Sequence, residues 1–189
     1  VYVPFWMFDG KASGEASYKA TTSKVYEKGD EEITETRHYE VSRAGSIGFE
    51  KIPVDASSKM PDDHMDSIEP YDYSGLKEFS TAYLPGFLAD KYDVSVKDSQ
   101  KRADTRCAST LEDALRGTVT GYDSCTLEHK QIDLKRGKVH YALLPVWMLH
   151  TKWNGQDFLF AMNGQTGRMV GDLPVDKSRV AAWFAGISL

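Results

Sequence analysis

The chain has 189 residues, with 23 Lys+Arg against 28 Asp+Glu and a formal net charge of −5. Its 4 Trp, 10 Tyr and 8 Phe exclude a disordered chain, and its 2 Cys exclude a disulfide-dense scaffold. The acidic balance disfavours a strongly basic nucleic-acid binder, and no run approaches the roughly 20 apolar residues that span a bilayer.

The first element is an apolar run, Val1-Tyr2-Val3-Pro4-Phe5-Trp6-Met7-Phe8. Opening on Val1 inside such a run reads as a piece of a longer protein, because natural termini begin polar and loose. Residues 3–20 align without gaps on residues 144–161, sharing Pro4/Pro145, Trp6/Trp147, Met7/Met148, Lys11/Lys152, Gly14/Gly155 and Ala20/Ala161. Each copy reads as an apolar strand with Pro-x-Trp-Met, a polar turn containing Gly, and a second strand. Asn154-Gly155 suits a type I′ turn. Proline removes a ladder donor, so each such strand is expected at a sheet edge or bulged. Trp6 and Trp147 are expected to anchor two halves of the core.

Ser17–Lys28, Ile33–Arg43 and Ile47–Val54 read as further strands, divided by turns at 29–32 and 44–46. Asp55–Tyr73 is acidic and punctuated by Pro61 and Pro70, with a short helix expected around Asp63–Glu69 capped by Asp62. Leu76, Phe79, Tyr83, Leu84, Phe87 and Leu88 surround Pro85-Gly86 and read as helix-turn-helix. Ser95–Thr118 is the clearest helix, with Ser95 as cap and Asp98 as the acidic half of a capping box. Val96, Ala103, Cys107, Leu111, Ala114 and Thr118 form its apolar stripe. Tyr122–Leu134 and Val139–His150 read as strands around a turn at 135–138. The second hairpin, a turn at Asn163–Gly167, a strand Arg168–Leu173 and a helix starting at Asp176 or Ser178 complete the chain.

The expected fold class is therefore α+β. Antiparallel β-sheets come from the duplicated Pro-x-Trp hairpins, with a helical segment between them. The blocks are 1–54, a first β block; 55–121, an acidic loop and helical insertion; and 122–189, a second β block with a terminal helix. Together they make one compact pseudo-symmetric domain.

No phosphate-binding glycine motif is present. Asn163-Gly164-Gln165-Thr166-Gly167 lies between strands, so a hairpin turn is the simpler reading than a phosphate loop. Asp62, Asp63, His64 and Asp66 group oxygen and imidazole ligands and are the candidate metal set. They lack the glycine and distal glutamate of a calcium loop, and any zinc spacing. Cys107 and Cys125 read as buried small hydrophobes, with a disulfide open if the helix crosses the strand. His38, His129, His140 and His150 are isolated. Lys97, Lys101, Arg102 and Arg106 share their helix with Asp98, Asp104, Glu112 and Asp113, a mixed surface. No catalytic residue is assigned.

Residues Pro53–Val94, including MDSIEPYDYSGLKEFSTAYLPGFLADKYDV, resemble a family of uncharacterised bacterial proteins, mostly from Firmicutes. So do Tyr141–Leu173 (YALLPVWMLHTKWNGQDFLFAMNGQTGRMVGDL) and the opening YVPFWMFD. The resemblance implies an N-terminal zinc ribbon before this region and a membrane-spanning segment after it. Some members are described as primosomal-helicase-like. This chain has no helicase motif, so that description is assigned to the ribbon. The implied role is a non-enzymatic interaction or ligand-sensing domain of a membrane-anchored protein, facing the cytoplasm. Its partner would be a protein or small molecule, with no direct nucleic-acid binding. It would carry no cofactor of its own, zinc being confined to the ribbon. The alternatives are a metal-dependent binder or hydrolase using 62–66, and a nucleic-acid-associated accessory protein.

Overall fold

The structure, a computed structural model, describes residues 1–172. The expected terminal helix lies outside the described residues. Strand dominates. β1 spans Tyr2–Lys28, β2 Glu31–Asp55, β3 Ser124–Trp153, β4 Gln156–Asn163 and β5 Met169–Gly171. Helices are α1, Asp62–Ser67, and α2, Val96–Gly117, with a 3-10 turn at Thr81–Tyr83. The strands form one five-stranded sheet in the order β2-β1-β3-β4-β5.

This overturns the α+β reading with duplicated hairpins. Only the second copy makes a hairpin, where β3 turns at Asn154 (φ 50°) and Gly155 (φ 78°) and pairs antiparallel with β4. The first copy lies wholly within β1. Ala12, Ala16, Tyr18 and Ala20 are buried at every second residue about Gly14, a period-two pattern that only continuous strand produces. The expected turns at 44–46 and 135–138 are likewise strand, inside β2 and β3.

Glycine caused these misreadings. Gly29 and Gly155 sit at real turns with positive φ, but Gly10, Gly14 and Gly137 do not. They serve close approach of β1 to β3. A Cβ on Gly14 would lie 2.2 Å from the Gln131 carbonyl oxygen, and one on Gly137 2.9 Å from that of Asp9.

The chain divides into two compact units. The first holds Val1–Phe5, Asp55–Asp93 and the region from Leu143 onward; the second holds Trp6–Val54 and Val94–Ala142. In the second unit α2 packs on the sheet. Ala12, Ala16 and Ala20 are small enough to let Leu111, Leu115 and Val119 settle beside Tyr18 and Val41. The helix is capped as expected, the Asp98 amide donating to Ser95 Oγ at 3.2 Å and that hydroxyl to Asp98 Oδ2 at 2.7 Å. Its stripe differs at the end. Beyond Leu111 the buried positions advance by four, to Leu115 and Val119, so Ala114 and Thr118 are exposed.

In the first unit Val3, Phe5, Met65, Ile68, Leu144 and Val146 are fully buried. Asn163, wholly buried at the end of β4, donates through Nδ2 to the carbonyls of Ile68 (2.9 Å) and Pro70 (3.0 Å). Its Oδ1 accepts from the amides of Gln165 (2.8 Å) and Thr166 (3.1 Å). This closes the Asn163–Gly167 turn as a hairpin connection, as the residue types imply. On β5, Gly171 stands opposite Phe160, whose ring occupies the space a side chain would take.

Trp147 does not anchor a core. It is 65% exposed while neighbouring Val146 is 1% exposed, because adjacent strand residues face opposite sides. Trp6 is half-buried; its Nε1 donates to the Val94 carbonyl at 3.0 Å and its ring lies 5.1 Å from that of Tyr141. Neither proline marks an edge strand, since β1 and β3 are both internal. Their carbonyls remain in use: Pro4 accepts from the Ala56 amide at 2.8 Å and Pro145 from that of Gly164 at 2.9 Å. The expected helix-turn-helix near 76–88 is irregular apart from Thr81–Tyr83. Phe79, Tyr83, Phe87 and Leu88 are exposed, and short helices persist only when an apolar face is packed. β2 forms one edge of the sheet. Along its exposed half it carries Glu31, Glu32, Glu35, Arg37, Glu40 and Arg43.

Candidate functional site

Three adjacent strands of the second unit line one open cleft. β1 contributes Asp9 and Lys11, β2 contributes Phe49 and Lys51, and β3 contributes Lys135 and Arg136. Its volume is about 460 Å³, within the range of small-molecule sites. Gly10 and Gly137 also line it, and neither raises a side chain into the space.

Asp9 organises the cleft. Its Oδ1 accepts the Lys51 backbone amide at 2.9 Å, and its Oδ2 lies 3.2 Å from His140 Nε2. Lys51 has φ 55°, a left-handed conformation that costs a non-glycine residue free energy and persists only where neighbours impose it. The Asp9 carboxylate imposes it here. The Lys51 amide, and after it His140, hold the Asp9 carboxyl below the ordinary carboxylate range against the opposing effect of burial.

Replacing Asp9 by alanine is expected to cost about 1–2 kcal/mol at neutral pH, the loss of one charge-assisted bond that restrains Lys51. The ionised carboxylate is the form that folding favours. Its contribution is therefore present at neutral pH and is lost as pH falls below the ordinary value of about 3.9 and through the lowered folded one. Urea denaturation along a descending pH series checks this: the gap between wild type and variant should close in acid.

α2 fixes the cleft's other end. Arg136 Nη2 donates to Asp104 Oδ2 at 2.7 Å, and Gln100 Nε2 donates to Asp104 Oδ1 at 2.9 Å. A void of about 20 Å³, water-sized, lies between this network and Cys107. Burial, and then the Asp104 charge, push the Cys107 thiol up, which disfavours the nucleophilic thiolate. Both Cys107 and Cys125 are half-buried free thiols.

The proposed metal ligands sit elsewhere, on α1 in the first unit. Asp62, Asp63 and Asp66 are exposed, whereas His64 is buried with its Nε2 3.4 Å from Asp172 Oδ1. One turn of helix thus points the imidazole inward and the carboxylates outward. Among the described residues no group of three or more His, Cys, Asp and Glu side chains converges as a metal set. Pro61, not Asp62, occupies the helix cap, and no side chain caps it. In the basic set on α2, Arg106 is committed inward, donating to the Pro53 carbonyl at 2.6 Å.

Sequence reasoning missed the Asp9 cleft. Asp9-Gly10 was legible only as turn-forming residues, and nothing local announces that Lys51, 42 positions away, adopts a left-handed backbone.

The chain is 43% identical over 188 residues to the uncharacterised protein YdjG of Bacillus subtilis strain 168. The match covers all of this chain and 55% of that protein, so the chain spans about half the length of the relative it matches. The resemblance to an uncharacterised Firmicutes protein thus extends along the whole chain. No family model matches it, and no solved structure does. Among the described residues no helix is long and apolar enough to cross a membrane.

Proposed function

We propose that this chain is a non-enzymatic ligand-sensing domain of a membrane-anchored zinc-ribbon protein. The observation that supports it is the open cleft of about 460 Å³ about Asp9. Its central carboxylate already accepts from Lys51 and pairs with His140, so it acts as a brace rather than as a base awaiting a substrate. The nearby Cys107 thiol is held protonated. Binding needs only such a shaped, braced surface, whereas turnover needs an activated group.

The zinc ribbon and the membrane segment rest on the resemblance alone. They would lie in the part of the longer relative that this chain does not match. Zinc analysis and membrane fractionation of the complete gene product test that half of the reading.

The cleft is tested by mapping ligand-induced amide shifts with a small-molecule library. Shifts at Gly10, Lys51 and Gly137, without product formation, are expected. Turnover in a hydrolase panel that one point substitution abolishes would overturn the reading. A melting shift with calcium, magnesium or zinc, removed by Asp62→Asn with Asp66→Asn, would favour the metal-dependent alternative.

A further inference from the structure

We infer that the cleft about Asp9 takes a small ligand bearing phosphoryl groups, an inference that rests on the ligand-sensing reading and names its ligand class. The protein carries a net charge of −5, yet this one concavity is lined by Lys11, Lys51, Lys135 and Arg136 against Asp9 and Glu50. Positive charge is concentrated there against the overall sign of the chain. A local excess of one sign of charge draws in an ion of the other.

The cations are also available. Elsewhere in the same unit Lys19 pairs with Glu128 and Lys130 with Glu112. Among the described residues, the Lys11, Lys51 and Lys135 side chains engage no carboxylate. Arg136 is oriented by Asp104 through one terminal nitrogen, and its side chain is 64% exposed, leaving the rest of its donor fork open. Lysine ammonium groups and a guanidinium with free donors are the side chains that suit the tetrahedral oxygens of a phosphoryl group.

The acidic residue at the centre does not cancel this. Asp9 is turned to the Lys51 amide and to His140, which occupy its two carboxylate oxygens. Glu50 is exposed and is the other carboxylate on the lining, so four cations stand against two carboxylates. Phe49, half-buried beside Lys51, packs on the apolar core of the unit at the edge of the cleft.

The test titrates the chain with pyrophosphate, using a neutral disaccharide as the uncharged probe. Amide shifts are followed at Gly10, Lys51 and Gly137. Pyrophosphate is expected to saturate these shifts, with affinity falling as salt rises. Lys11→Glu with Lys135→Glu should weaken it at least tenfold. Lys24→Glu with Lys28→Glu makes the same change in net charge away from the cleft and should leave affinity within twofold. Thermal melts confirm that both variants fold. Equal loss in both pairs, or no shift at the cleft amides, would overturn the inference. Cleft shifts with the disaccharide but not pyrophosphate would sink the phosphoryl class and leave the ligand-sensing reading standing. Shifts with neither probe, and with nothing in the library, would remove both.

Discussion

Replacing Asn163 by alanine is expected to lower the stability of the first unit by about 3–4 kcal/mol, among the larger effects of any single change. The side chain uses its full capacity of two donors and two acceptors, at 2.8 to 3.1 Å, and is 0% exposed. Truncation strands the Ile68 and Pro70 carbonyls and the Gln165 and Thr166 amides. Each buried orphan costs roughly 1–3 kcal/mol, discounted because water reaches those near the turn. Asn163→Asp sharpens the case. It keeps the size and the acceptor but sets a carboxylate oxygen against two carbonyl oxygens, so it should be at least as damaging as alanine at neutral pH. Urea unfolding, with hydrogen exchange at the Gln165 and Thr166 amides, reads both outcomes. A loss under 1 kcal/mol for either variant would show that the four bonds do not act as described.

The second large effect belongs to the contact of β1 with β3. A methyl group on Gly14 would sit 2.2 Å from the Gln131 carbonyl oxygen and 3.0 Å from Ile132 Cα. Both are backbone atoms, so no side chain can swing aside, and the strands must part. Gly14→Ala should cost about 3 kcal/mol, at the upper end of overpacking penalties. The closest approaches rank the related sites: 2.9 Å for Gly137 and 3.1 Å for Gly10. The cost should fall in the order Gly14, Gly137, Gly10. Gly48, in β2 with nothing within 4 Å of an added Cβ and no positive φ, is the control and should tolerate alanine. A flat series in thermal melts would contradict the close-approach account.

The same glycines explain how much of the fold could be read in advance. Helix α2 was legible because its signals are local: a Ser95 cap, Asp98 three residues later, and an apolar stripe. The β3–β4 hairpin was legible because Asn154-Gly155 needs positive φ at both positions. The long strands were not, because glycine carries two meanings that a single sequence cannot separate. At Gly29 it frees a turn; at Gly14 it admits a neighbouring backbone. The second meaning depends on residues more than 100 positions away. Trp147 misled for a related reason. Its likeness to Trp6 is a likeness of pattern, and pattern does not say which face of β3 is covered. The candidate site was the least legible part. Its brace joins positions 9, 51 and 140, and its one unusual backbone, at Lys51, belongs to a residue type with no preference for that conformation.

The placement of β2 bears on how the protein behaves at high concentration. A terminal strand of 25 residues presents a rank of amides and carbonyls that the sheet itself leaves unmatched. Such a rank is a template on which another chain could add as a sixth strand. The alternation of Glu31, Glu32, Glu35, Arg37, Glu40 and Arg43 along it makes that addition register-dependent. Registers that set Glu31, Glu32, Glu35 or Glu40 against one another would place carboxylate against carboxylate. Colloidal stability is thereby written into the outer strand as electrostatic mismatch, independent of the packing that holds the folded chain together.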